Sequence, residues 1–303
     1  MHARLPDRAN RTEIAMTAQS KIDFAAAKSE LAGIAGKSGA LVSGVAAANA
    51  FEEAPEGYRP VDILPHAKSV FVVGGAQPRA GDWQSPNYQH MEVTTTSDRM
   101  QTLALKMARI IEDRFGYYAV CVPAGVDQGQ QPFMSISMAA DLAGCGSKSL
   151  AGPVLHPEFG FMYYGAIITT MPLSPDKPLD PPACPAPECV QMYEAEGTTP
   201  CLNTCPAKAG GCLDGRIENG RFTEREYDAI RCATRVQNYW VPGFQKVLGA
   251  TLQEPDAEKQ KMMLFSSMFS RTLWSMTYSN VAQGQCAECM RVCPVGREYR
   301  AKK

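Results

Sequence analysis

Near its carboxyl end the chain reads Cys286-Ala-Glu-Cys289-Met-Arg-Val-Cys293-Pro294, and further back Cys201-Leu-Asn-Thr-Cys205-Pro206. The first stretch is C-x2-C-x3-C-P. Two thiolates spaced this way can grip one metal centre from a tight loop, and the proline turns the third sulfur toward another. In the bacterial C-x2-C-x2-C-x3-C-P run, the cysteine before proline ligates the other of two iron–sulfur clusters. Two Cys-x3-Cys-Pro endings therefore point to two clusters that exchange a ligand each way. Any fold that satisfies this must bring the two cysteine groups together in space.

Two cubane clusters need eight thiolates. Seven come from the two groups: Cys184, Cys189, Cys201, Cys205, Cys286, Cys289 and Cys293. The eighth is Cys232, or else Cys212. Applied to these residues, the exchange rule gives one shell of Cys184, Cys189, Cys201 and Cys293, and another of Cys205, Cys232, Cys286 and Cys289. Structural zinc also uses C-x2-C pairs, usually two of them; here there is one pair and two Cys-Pro endings. Cys121 and Cys145 stand apart and read as buried thiols.

The rest of the composition agrees with a metalloprotein. Nine of eleven cysteines lie from residue 184 onward in a chain of 303 residues. No apolar leader precedes them, so a reducing cytoplasm is expected, with metal-bound thiolates rather than disulfides. No run reaches the ~18 apolar residues a membrane span needs, so no membrane association is expected. The formal net charge of −1 advertises no polyanion-binding face.

Three segments are expected: a loose tail over 1–18, a mixed-sheet α+β domain over 19–176, and a cysteine domain with a helical insert over 177–303. Hydrophobic patterning predicts helices over 21–35, from Ser97 or Asp98 onward, and over 133–143. Strands are predicted over 69–74, 117–122 and 161–170, the last one central. Residues 59–66 read as a loop. Seven prolines over 172–187 mark an extended linker. Helices are predicted over 224–236 and 257–278. No G-x-G-x-x-G follows the first strand, and Gly144-Cys-Gly-Ser-Lys148 fails as a phosphate loop because Ser147 stands where glycine must precede lysine.

On these motifs, and on stretches such as Gly57-Tyr-Arg-Pro-Val-Asp-Ile-Leu-Pro-His and Gly165-Ala-Ile-Ile-Thr-Thr-Met-Pro, the chain resembles the corrinoid iron–sulfur reductases, which include epoxyqueuosine reductase and the reductive dehalogenases. The resemblance implies a nitroreductase-like domain that holds cobalamin, followed by a ferredoxin-like domain with two [4Fe-4S] clusters. It implies electrons passing from an external ferredoxin- or flavodoxin-type donor through the clusters to cobalt. The segment Ala143–Lys148 resembles the corrinoid-facing part of the family, so Gly144, Gly146 and Lys148 become candidate cofactor contacts. Asp127 matches the family's acidic residue in a Val-Asp context, and Tyr163 or Tyr164 matches the tyrosine acid of dehalogenases. Removing a halide or oxygen leaving group needs a proton delivered nearby; a turn role for Asp127 and plain packing for the tyrosines are the competing readings.

The expected activity is reduction of a small molecule, by dehalogenation or deoxygenation. The chain ends ten residues after Cys293, before the helical repeats with which epoxyqueuosine reductase engages transfer RNA, so no nucleic-acid partner is expected. Two alternatives from other classes stay open: an electron carrier without corrinoid, and a flavin reductase on the same fold.

Overall fold

The computed structural model describes residues 22–76, 86–123, 133–228, 231, 240–277 and 288–301. Asp127, Cys232, Cys286 and the tail over 1–18 lie outside the described residues.

The first half is built on four strands, β1 (Val42–Ala47), β2 (Ser69–Gly75), β3 (Ala119–Val122) and β7 (Tyr163–Thr169), in the order β1-β2-β7-β3. The late strand β7 is internal, as its apolar run predicts. Every pairing is antiparallel, which corrects the expected mixed sheet: β2 and β3 run parallel, but β7 is inserted between them. Both faces are covered. Val70, Val72, Ala166 and Ile168 point into one core and Phe71, Val73 and Ile167 into the other. That is why β2 and β7 read as continuous apolar runs rather than alternating ones.

Two helices cover the second face. The first, α1 (Phe24–Lys37), is capped by the Asp23 carboxylate, which accepts the Ala25 and Ala26 N–H groups, and buries Ala27, Leu31 and Ala35 at a spacing of four. The other, α3 (Pro86–Ile110), runs on into a π-turn at Ile111–Phe115. It buries Met100, Leu103, Ala104, Met107, Ala108 and Ile111. It begins earlier than its apolar pattern predicts, because the polar stretch 86–97 has no helical period to read. Between β1 and β2 lies α2 (Pro60–Ile63), a single turn with Pro at its first position where a loop is expected.

The first face is covered by α4 (Ile136–Leu142), capped by Ser135, and by a small sheet of β4 (Ser147–Lys148), β5 (Val154–His156) and β6 (Gly160–Phe161). The proline-rich segment after β7 has no regular structure, yet it is anchored. The Asp176 carboxylate accepts the Val45 N–H and pairs with the Lys28 ammonium at 2.6 Å, and Ser147 Oγ accepts the Ala183 N–H at 2.8 Å.

The cysteine region follows: α5 (Pro187–Glu196), α6 (Pro200–Thr204), the hairpin β8 (Leu213–Glu218) and β9 (Arg221–Tyr227), then α7 (Trp240–Gln253), α8 (Ala257–Leu264), α9 (Ser267–Thr277), α10 (Glu288–Arg291) and α11 (Arg297–Ala301). Two expectations are corrected here. Residues 224–227 are strand rather than helix, because Asn219 and Gly220, both at positive φ, close a two-residue hairpin turn ahead of them. The single helix over 257–278 is two, broken at Phe265-Ser266, where the Ser266 hydroxyl donates back to the Met263 carbonyl.

Candidate metal centre

A third core draws on both sides of the proline-rich segment. Leu150, Ala151 and Leu155 from the β4–β5 hairpin pack with Cys189, Leu202, Cys205, Cys212, Met290 and Val295. Within it a cavity is lined by Cys184, Cys189, Cys201 and Cys293. These come from separate stretches: the end of the linker, the first turn of α5, the first turn of α6, and the loop after α10.

Each thiol is positioned by local chemistry. Pro187 and Pro200 start α5 and α6, so Cys189 and Cys201 sit in first turns, where helix N–H groups favour negative sulfur. Thr199 caps α6 by accepting the Leu202 N–H, and its Oγ1 lies 3.2 Å from Cys201 Sγ. The Leu150 N–H donates to Cys184 Sγ at 3.4 Å. Cys293 is held from behind: the Arg300 guanidinium donates to the Cys293 and Val295 carbonyls at 2.6 and 2.9 Å.

The electrostatics describe crowded, buried thiols. Burial pushes the Cys184 and Cys189 thiols up to about 12 and Cys293 up to about 11, and raises Cys201; repulsion between neighbouring sulfurs adds to the first three. Four such thiols stay protonated at neutral pH on their own, and a bound metal must displace their protons. The sulfurs stand around a cavity rather than a point. Among the described residues no three His, Cys, Asp or Glu side chains are gathered to hold a single ion. Four thiols around a cavity, with no tight grouping for one ion, suit a polynuclear group. One polar atom of its wall, Ser149 Oγ, is buried without a partner. The donor set and this orphan hydroxyl fit an iron–sulfur cluster.

The remaining cysteines lie next door. Cys205 and Cys212 are buried, with Cys212 Sγ 3.4 Å from Cys205 Sγ and the Cys212 N–H donating to Cys205 Sγ at 3.2 Å. The loop between them closes this tightly because Gly211 lies against Cys205, where a Cβ would come within 2.4 Å of the Cys205 carbonyl. Cys289 packs against the same core. Arg231 Nη1 reaches the Ala207 and Gly211 carbonyls of this loop at 3.5 and 3.4 Å.

Of the expected corrinoid and acid residues, Gly144, Gly146, Lys148, Tyr163 and Tyr164 are described. At Gly144, φ is +66° and a Cβ would meet the Lys177 carbonyl at 2.4 Å; at Gly146 it would meet the Tyr164 hydroxyl at 2.7 Å. Protein atoms already fill both positions. The Lys148 N–H is held by the Asp141 carboxylate, and its half-exposed ammonium stands 4.0 Å from Glu53. The Tyr164 hydroxyl donates to the Cys145 carbonyl at 3.1 Å. The Tyr163 hydroxyl is buried with no partner, and its ring stacks edge-on against Phe161, between the sheet core and the cysteine core. Burial drives both phenol pKa values far up. Sequence reasoning missed Ser149, Leu150, Thr199 and Arg300. Only Thr199-Pro200, a capping residue followed by a first-turn proline, carried a readable signal.

Comparison with known proteins agrees with this architecture. An epoxyqueuosine reductase from Bacillus cereus is 26% identical over 171 residues, covering 51% of this chain and 40% of that protein. The tetrachloroethene reductive dehalogenase of Sulfurospirillum multivorans is 32% identical over 237 residues, covering 77% of this chain and 36% of that one. The chain thus spans well under half the length of either relative. A crystal structure of epoxyqueuosine reductase with an epoxyqueuosine-modified tRNA stem loop shares the fold, with a TM-score of 0.52 at 17% identity over 91% of this chain and 66% of that one. At that identity the likeness shows the fold alone. No family model matches the chain. Both relatives are oxidoreductases. Among the described residues no helix is long and apolar enough to cross a membrane.

Proposed function

We propose that this relative of the epoxyqueuosine reductases and the reductive dehalogenases is a corrinoid-dependent iron–sulfur oxidoreductase, acting by dehalogenation or deoxygenation on a small molecule in the cytoplasm. A nitroreductase-like domain over 19–176 is followed by a ferredoxin-like domain over 177–303. Cys184, Cys189, Cys201 and Cys293 hold one [4Fe-4S] cluster; Cys205, Cys286 and Cys289, with Cys232 or Cys212, hold a second. An external ferredoxin- or flavodoxin-type protein serves as donor. The observation that carries this reading is the convergence of four distant thiols, two of them already hydrogen-bonded, on one cavity.

When bound, the clusters carry single electrons and a corrinoid supplies the strong low-potential reductant that side chains lack. The protein's own contribution is to hold thiols, exclude water and place a proton. Asp127 and Tyr163 remain the acid candidates. Tyr164 is the weaker of the tyrosines, since its hydroxyl is committed to Cys145. The high pKa of Tyr163 keeps it protonated, so it can give its proton only to a strongly basic centre such as a carbanion.

A second reading is an electron-transfer protein without corrinoid, which the thiol-lined cavity would serve by itself. Anaerobic titration of the reconstituted protein with cob(II)alamin separates the two. The first reading expects a saturable change in the corrinoid spectrum near one equivalent. Spectra that merely add, on a protein whose iron is in place, favour the second. Tight binding of a tRNA stem loop in the same assay would move the substrate class from small molecule to RNA.

A further inference from the structure

We propose that Ser149 donates a hydrogen bond from its hydroxyl to a sulfur of the cluster held by Cys184, Cys189, Cys201 and Cys293, and so sets that cluster's reduction potential. The inference rests on the reading of this cavity as a cluster site. Ser149 is 1% exposed and its Oγ has no partner, while it lines the cavity beside the four thiols. Leaving a buried hydroxyl unpaired is unfavourable, so such groups normally face a partner. The remainder of the residue is fixed. Its carbonyl accepts from Arg225 Nη1 at 3.4 Å, and the next residue's N–H donates to Cys184 Sγ. Its neighbour two positions back is tied to the linker through the Ser147 hydroxyl and the Ala183 N–H. Backbone and hairpin therefore hold the hydroxyl in the cavity wall, on the same side as the Leu150 donor.

Thr199 completes the pattern from across the cavity. Its Oγ1 accepts the Leu202 N–H and lies 3.2 Å from Cys201 Sγ, to which its proton can be donated once that sulfur is a thiolate ligand. One cysteine sulfur thus receives a backbone donor and another a hydroxyl, leaving Ser149 as the donor without a sulfur in the protein. Hydrogen bonds to cluster sulfurs stabilise the more negative, reduced state and raise the potential. Ser149 is a positioning residue for charge rather than a catalytic one.

The test is a dithionite redox titration, followed by electron paramagnetic resonance, of anaerobically reconstituted wild type, Ser149→Ala and Ser149→Thr. Iron content is measured first and reports on the cluster reading independently. With iron retained, Ser149→Ala is expected to make reduction of one cluster about tenfold less favourable, a shift of about 59 mV to lower potential. The other cluster should be unchanged and Ser149→Thr should restore the wild-type value. An unchanged potential in the alanine variant overturns the proposal. Should that variant load no iron, double-resonance spectra of reduced wild type before and after transfer to D2O decide. An exchangeable hydroxyl proton coupled to the cluster, beyond the one from Thr199, supports the assignment; its absence contradicts it.

Discussion

Tyr163 and Tyr164 are neighbours on one strand with opposite fates. Alternation on β7 sends them to different faces, and only Tyr164 finds an acceptor, the Cys145 carbonyl. Tyr164→Phe leaves that buried carbonyl short of a donor and is expected to lower unfolding free energy by about 1–3 kcal/mol. Tyr163→Phe removes an orphan hydroxyl and is expected to leave stability unchanged within about 0.5 kcal/mol, or to raise it. Denaturant melts of the two variants check this. A Tyr163→Phe protein of full stability and lost reductase activity would assign the proton to Tyr163; one of full activity would leave Asp127. The alternation was legible in the sequence, but the choice between the faces was not. It depends on Gly146, whose lack of a side chain lets the 145–146 backbone lie against the Tyr164 hydroxyl.

At the scale of elements, the segment after α10 is docked by contacts of high specificity. Gly296 has φ +74°, and a Cβ there would fall within 2.3 Å of the Gly160 nitrogen; a Cβ on Gly160 would meet the Val295 carbonyl at 2.7 Å. Tyr299 packs edge-on against Phe159, which stacks on His156. Gly296→Ala must therefore separate the β5–β6 turn from the loop that carries Cys293. It is expected to cost about 2 kcal/mol or more through strain at positive φ and overpacking, and to lower iron retention in a chelator challenge. Iron retention equal to wild type would show that this docking does not position Cys293. Little of it was readable beforehand, because two glycines far apart in sequence reveal their contact only in three dimensions. The hairpin β8–β9 is a different case. Asn219-Gly220 is a strong turn signal, but the charged run Arg221-Phe-Thr-Glu-Arg-Glu-Tyr hides its strand character, since nearly every side chain of β9 is exposed and alternation has no core to report.

For the molecule as a whole, the sequence was most informative where chemistry restricts spacing. The cysteine spacing suggested one shell of Cys184, Cys189, Cys201 and Cys293, and those four side chains line one cavity. That they hold a cluster is the proposal built on this. The linker that looked like a divider between two parts is an anchored strap: Lys28, Val45 and Ser147 hold it at Asp176 and Ala183. It delivers Cys184 to a core that both parts share. Such anchoring explains how a proline-rich run without regular structure can carry a ligand at fixed geometry, with backbone freedom already restricted by the prolines themselves.

The measurement that bears most directly on this account is iron and sulfide stoichiometry, with Mössbauer spectra, on anaerobically reconstituted wild type and on a Cys184→Ser/Cys201→Ser double variant. The account predicts about eight irons per wild-type chain in two cubane signals, and about four, with one signal intact, in the variant. Wild-type protein that takes up zinc in place of iron, or a double variant that keeps both signals, would contradict it.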